Sequence, residues 1–231
     1  MPAPAHALDR PVWESLASRQ ASLSIGGALA KRYQHDVNVF ASARDDSPAA
    51  LDAWAALVEP GERVYVLQVP EIAIPPALSV TQMPPGVQMV ATRPIEAQAA
   101  DDIVVLGDAD AAEMLALAQL TQPGPFLART HVMGTFRGIR IDGRLAAMAG
   151  ERMRMPGYTE LSGVCTHPDF RGRGLARRLS AIVCAGIEAR GETPILHAWK
   201  DNRVAIALYE QLGFRLRAEV NVVVLERAPA R

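Results

Sequence analysis

The segment Arg171-Gly172-Arg173-Gly174-Leu175-Ala176 is the part of this chain best suited to hold a polyanion. Glycines at 172 and 174 can take positive φ without steric cost and bring bare backbone against a ligand. An apolar-periodic helix starting near Leu175 offers unpaired first-turn N–H groups and the positive end of its dipole. A strand expected over Tyr158–Thr166 ends just before, at His167-Pro168-Asp169-Phe170. Strand, glycine loop and helix start together form a phosphate-binding arrangement. Arginines 171, 173, 177 and 178 make it basic, and four arginines around one glycine loop suit a single polyphosphate better than a duplex.

Two further groups could do chemistry. Asn202, Ile206 and Tyr209 stand at i, i+4 and i+7 and share one face of an expected helix. A phenol there, with a reference pKa of about 10, is a candidate proton donor. On the strand, alternation puts Glu160, Ser162, Val164 and Thr166 on one side. Glu160 is the carboxylate on that side that could take part in proton transfer, with Glu151 on the preceding strand in reserve. Cys165 and His167 do not make a nucleophile–base pair, being two residues apart on a strand that runs into Pro168. His131 and His197 lack metal-ligand spacing and read as structural.

The elements that must position these groups fall into two stretches. Over 1–94 a smaller α/β module is expected. Trp13, Leu16, Leu23 and Leu29 suggest a helical stripe that weakens at Gly26-Gly27, and Val37–Phe40 alternates as a short strand. Ser47-Pro48 starts a helix with Leu51, Trp54, Ala55 and Val58 on its buried face, and Pro60-Gly61 stops it. Arg63–Val69 and Val87–Ala91 read as strands around a proline-rich connector. The stretch carries no nucleophile–base constellation, and its element order suggests a degenerate partial copy of the second unit. That second unit spans 101–228. Its expected strands are Ile103–Leu106, Gly134–Ile141, Leu145–Arg152, Tyr158–Thr166, Pro194–Trp199 and one or two over Phe214–Leu225. Its helices cover Asp108–Leu120, the run after Leu175, and Asn202–Leu212, and Asp142-Gly143 signals a tight hairpin.

Composition bounds the function. Hydrophobic residues at 49% and charged residues at 21% suit a globular chain with a sizeable core. A formal net charge of −1 gives no global attraction to nucleic acid or anionic membranes. No run approaches the ~18 apolar residues of a span, and the first residues lack a leader pattern. Two cysteines, 165 and 184, make no disulfide framework or metal set, so a reducing cytoplasm is expected.

The loop reads R-x-x-G-x-A, and Asn202-Arg203-Val204-Ala205-Ile206-Ala207-Leu208-Tyr209-Glu210-Gln211-Leu212-Gly213-Phe214 follows one strand later. A dinucleotide-binding reading is weaker, because Arg177 stands where G-x-G-x-x-G needs its third glycine. Together the two segments resemble the signatures of the GNAT superfamily of acyl-CoA-dependent N-acyltransferases, tightly over 158–214 and loosely over 101–228. The resemblance implies a mixed, mostly antiparallel α/β sheet flanked by helices in the order β-α-β-β-β-α-β-α-β. It also implies acetyl-CoA as cosubstrate, no metal, and direct attack by an amine. By that resemblance Arg171, Gly172, Arg173, Gly174, Leu175, Ala176 and Arg177 hold the pyrophosphate. The strand end splays at about Cys165, so that backbone of Val164, Cys165 and Thr166 meets the pantetheine arm. Asn202 contributes to the cofactor site, Tyr209 matches the acid that protonates the departing coenzyme A thiolate (pKa about 8.5), and Glu160 matches the glutamate of the histone-acetyltransferase branch that takes the amine's proton, directly or through water. The acceptor is expected to be a small amine, chosen by residues 108–133, the 153–158 turn and the first module. A protein N-acetyltransferase and a non-catalytic acyl-CoA-binding module are the alternatives. Arg152 and Arg154 are candidates for attracting an acidic acceptor, and a homodimer is compatible with the family.

Overall fold

The computed structural model describes residues 6–97 and 101–228. Helices α1 (Pro11–Ala17), α2 (Pro48–Ala56), α3 (Ala111–Thr121), α4 (Leu175–Glu188) and α5 (Arg203–Leu212) pack on two sheets. The smaller sheet joins β1 (Ser24–Gly26), β2 (Ala30–Tyr33) and β3 (Ala41–Ala43), all antiparallel. The larger contains β4 (Arg63–Gln68), β5 (Ser79–Gln82), β6 (Pro85–Ala91), β7 (Ile103–Leu106), β8 (Phe136–Ile141), β9 (Arg144–Met155), β10 (Tyr158–Thr166), β11 (Thr193–Trp199) and β12 (Phe214–Glu226). Its order is β4-β12-β6-β11-β10-β9-β8-β7, with β5 also on β12.

From β7 onward the elements follow the expected order, β7-α3-β8-β9-β10-α4-β11-α5-β12. Local chemistry accounts for the boundaries. Asp142 (φ 51) and Gly143 (φ 77) both take positive φ in the β8–β9 hairpin, as a two-residue turn requires. Gly213 (φ 111) ends α5, and its N–H returns to the Glu210 and Tyr209 carbonyls. Ser47 Oγ accepts from the Ala50 N–H at the start of α2.

The first stretch differs from expectation. Its helical stripe ends at Ala17, and the run past it becomes a 3-10 turn and two strands. The short strand is Ala41–Ala43 rather than Val37–Phe40, with Phe40 bridging to Tyr65. More consequential is β6, which pairs antiparallel with β11 on one edge and β12 on the other. Residues of 1–94 therefore lie inside the sheet formed by 101–228 rather than on it as a separate layer. Both edges would otherwise expose unpaired N–H and C=O groups. Non-local pairing of this kind leaves no mark on local periodicity.

The large sheet buries both faces. On one, α4 and α5 bring Leu175, Leu179, Val183, Ile187, Tyr209 and Leu212 onto Val87, Met89, Leu161 and Leu196. On the other, α1 and its neighbours bring Leu8, Val12, Leu16, Val37 and Phe40 onto Met153, Met155, Ile195, Val220 and Val222. Among the described residues no helix is long and apolar enough to cross a membrane.

Candidate active site

The glycine loop is built as a cradle of amides. Gly172 (φ 77) and Gly174 (φ 72) are left-handed, and no atom lies within 4 Å of a Cβ placed on either. Gly174 caps α4 without a side-chain bond. The first helical bond near it is Arg178 N–H to Gly174 C=O at 3.1 Å. The amides of Gly172, Arg173, Gly174, Leu175, Ala176 and Arg177 therefore have no backbone partner among the described residues. Arg178 is held by Asp102 at 2.6 Å, and that bond keeps the Asp102 carboxyl below its ordinary range. Arg173 sits over the Phe170 ring at 5.3 Å. Arg171, Arg173 and Arg177 make no ion pair among the described residues, which leaves their charge for a ligand.

Strands β10 and β11 run parallel, and their register covers only Tyr158–Thr193, Thr159–Pro194 and Glu160–Ile195. Beyond that they part, so the β11-facing backbone of residues 161–166 has no neighbouring strand. The splay opens directly after Glu160, five residues before the expected Cys165. Two register shifts against β9, between Thr159 and Leu161 and between Ser162 and Cys165, bend β10 away, with Gly163 at φ 63 in the second.

A cavity of about 170 Å³ occupies this gap. From the α4/α5 side it is lined by Val164, Asn202, Ala205 and Tyr209, and from the other face by Phe40, Tyr65, Leu67, Arg152 and His197. The Gln122–Pro125 turn after α3 closes part of the rim. The gap thus passes through the sheet and joins its two faces. Asn202 also caps α5, its Oδ1 accepting from the Ala205 N–H at 3.1 Å. Tyr209 is 9% exposed, and its hydroxyl has no hydrogen-bond partner among the described residues. Burial, with Cys184 and Glu160 adding, pushes the phenol up to about 12, so it keeps its proton through neutral pH.

Glu160, the expected base, is held in an ion-pair cluster behind the cavity wall rather than in the cavity. It is fully buried, does not line the cavity, and spends both oxygens on other groups. Arg152 Nε and Nη2 reach it at 2.8 and 2.5 Å, His197 Nδ1 at 2.7 Å and the Met153 N–H at 3.2 Å. Burial alone would raise its carboxyl, but Arg152 and His197 outweigh that and hold it down to about 2. A carboxylate so stabilised binds protons poorly at neutral pH. Glu151 fails as reserve too. It is buried against Arg190 at 2.8 Å and does not line the cavity.

Other expectations shift as well. The Cys165 side chain packs away from the gap, with Met114, Leu117 and Met148 under α3, and burial pushes its thiol up to about 11. Only its backbone can belong to the site. Residues 153–158 do not line the cavity, whereas 122–125 do. His197, read from sequence as structural, is both structural and a wall of the cavity. Gln88 Nε2 donates to the Leu8 C=O and Gln88 Oε1 accepts from Arg217, which fixes the amide's orientation. Gln88 Nε2 therefore also donates to His197 Nε2 at 3.0 Å, so Nδ1 carries the ring proton and gives it to Glu160. Phe40, Tyr65 and His197 escape sequence reasoning because only the β10/β11 register and the Phe40–Tyr65 bridge bring them together.

The FR47-like protein family model matches residues 136–223. A protein of the GNAT family from Novosphingobium aromaticivorans DSM 12444, assigned as an acetyltransferase, is 43% identical, with 97% of this chain and 100% of that one covered and a TM-score of 0.91. A GCN5-related N-acetyltransferase from Kribbella flavida shares the fold at 18% identity, covering 91% of each chain with a TM-score of 0.59. A GCN5-related N-acetyltransferase-like protein from Streptococcus suis 89/1591 does so at 14% identity, over 93% of this chain and 91% of that one, with a TM-score of 0.54. No curated protein matches the chain.

Proposed function

Because this chain belongs to the GNAT family of acyltransferases, we propose that it moves an acetyl or other short acyl group from coenzyme A to a small amine by direct attack in a ternary complex. The observation that carries this reading is the cavity through the β10/β11 gap, with Tyr209 on one side and an aromatic chamber on the other. Acetyl-CoA fits the residues present. Six amides and three arginines without a partner among the described residues suit its pyrophosphate, and a strand edge with no neighbouring strand suits its amide-bearing arm.

When bound, acetyl-CoA supplies an acyl thioester. The protein's part is positional and electrostatic. The Gly172–Arg177 amides and Arg171 hold the phosphates. Free backbone on β10, at Val164 and Thr166, polarises a carbonyl lying in the gap. Asn202 holds the first turn of α5 so that Tyr209 presents its phenol to the departing thiolate. Among the described residues no carboxylate lines the cavity. The amine's proton therefore leaves through water in the cavity rather than to Glu160, whose work is to fix Arg152 and His197.

The first 94 residues act in this reading as the acceptor-side wall, through Phe40, Tyr65 and Leu67. That enclosure favours a small molecule over a protein surface. The two cysteines are free and buried, which suits a reducing compartment.

Release of free thiol from acetyl-CoA in the presence of a panel of small amines, with the acylated product identified by mass, tests the reaction. Amine-dependent thiol release supports it, and acetyl-CoA binding without turnover of any amine would favour a binding module. The loop offers a sharper check. A β-branched residue at φ 72 is strongly disfavoured, so Gly174→Val should disperse the amides and raise the acetyl-CoA Kd by about tenfold or more, equivalent to about 1.4 kcal/mol. Titration calorimetry on both proteins measures it, and an unchanged Kd would remove the loop from the site.

A further inference from the structure

Arg152 is 8% exposed and yet lines the cavity. Its Nε and Nη2 are occupied by Glu160 at 2.8 and 2.5 Å, and its guanidinium lies over the Phe40 ring at 4.9 Å. Glu160 is itself clamped by His197 and the Met153 N–H. The guanidinium is thus fixed in position and plane before any ligand arrives. Its third nitrogen, Nη1, makes no hydrogen bond among the described residues, and it is not among the polar atoms sealed from solvent without a partner. With Arg152 on the cavity wall, Nη1 is the nitrogen it has left for a ligand, with two N–H groups to give.

The charge around it is already balanced. Arg152 and Glu160 cancel, and among the described residues no Asp, Glu or Lys lines the cavity. An incoming carboxylate would meet Glu160 across the same guanidinium with no further cation to offset it. An uncharged carbonyl oxygen would take the N–H groups without that repulsion. Resting on the acyltransferase reading above, we infer that Arg152 Nη1 is the acceptor-recognition group of this site, and that the acceptor is an amine bearing an uncharged carbonyl oxygen near its nitrogen, as in an amino-acid amide. Glu160 is then a positioning residue acting through Arg152.

The test compares kcat/KM for leucinamide, leucine and 3-methylbutylamine in three proteins: wild type, Arg152→Lys, and Arg152→Met with Glu160→Gln. Removing both charges together avoids stranding either one in the core, and Arg152→Lys keeps the ion pair while withdrawing Nη1. A hydrogen bond to a charged donor should favour leucinamide over 3-methylbutylamine by about tenfold or more in wild type, and that ratio should collapse toward the amines' own reactivity ratio in both variants. A general loss of structure would lower both rates together and leave the ratio in place. An unchanged ratio in either well-folded variant overturns the role of Nη1, and leucine outperforming leucinamide overturns the uncharged acceptor. If acetyl-CoA still stabilises wild type but none of the three amines reacts, the substrate class is wrong and the family reading survives. If acetyl-CoA does not bind, both fall.

Discussion

Tyr209→Phe should lower kcat by about a hundredfold or more while leaving the KM for acetyl-CoA within a few-fold, the size expected when a positioned general acid is removed. The substitution deletes one oxygen. The ring keeps its edge contact with Phe214 at 6.0 Å and its place on the α5 face, so the fold should survive. The hydroxyl has no partner among the described residues to lose, so its removal is felt only by a ligand. With the phenol pushed up to about 12, the acid form dominates throughout neutral pH, and no loss of rate from its ionisation is expected below about pH 10. An acetyl thioester whose thiol is intrinsically more acidic should narrow the gap between variant and wild type, because its leaving group needs the proton less. A loss under threefold with acetyl-CoA would remove Tyr209 from the chemistry.

Glu160→Ala should cost about 3–5 kcal/mol of stability, since it strands the buried Arg152 guanidinium and the His197 Nδ1 proton. Its pH dependence has a definite sign. The folded carboxyl is held down to about 2 against an ordinary 4.5, so its contribution is fully present above about 4.5 and is lost as pH falls toward 2. Glu62, held to about 2 by Arg32 against its own partial burial, loses its contribution in the same window. Urea denaturation of wild type at pH 7 and pH 3 should show the fall, and Glu160→Gln should show a shallower one. The substitution also separates two roles. A proton-abstracting Glu160 would give a folded, inactive Glu160→Gln protein of nearly native stability. A positioning Glu160 gives a less stable protein whose turnover falls in step with its hold on the acceptor.

What sequence alone conveys is the chemistry that sits on contiguous residues. The Arg171–Ala176 loop, the Asn202 cap and the Tyr209 face are each local, and a helix period or a glycine's freedom is enough to place them. Strand β10 is legible to the residue because turn signals bracket it on both sides. What stays hidden depends on pairing between distant segments. Nothing near Val87 announces that β6 slots between β11 and β12, or that Phe40 and Tyr65 thereby become walls of the cavity. Glu160 misleads for the same reason. Alternation groups it with Ser162, Val164 and Thr166, but the register shifts against β9 break that pattern: Val164 faces α4 and α5, whereas Glu160, opposite Ile195, faces the other side of the sheet. Only the Glu160–Ile195 register, which sets His197 beside it, and the pairing of β9 that brings Arg152 show that its charge is already spent.

The measurement that bears most directly on the central claim is a thermal-shift titration of the protein with acetyl-CoA, free coenzyme A and NAD. A ligand at about 100 times its Kd stabilises the state it binds by about 2.7 kcal/mol. A concentration-dependent rise in Tm with both coenzyme A species and none with NAD is expected, and it should be reduced at equal ligand concentration in Gly174→Val. No rise with any coenzyme A species, or an equal rise in wild type and Gly174→Val, would contradict the central claim.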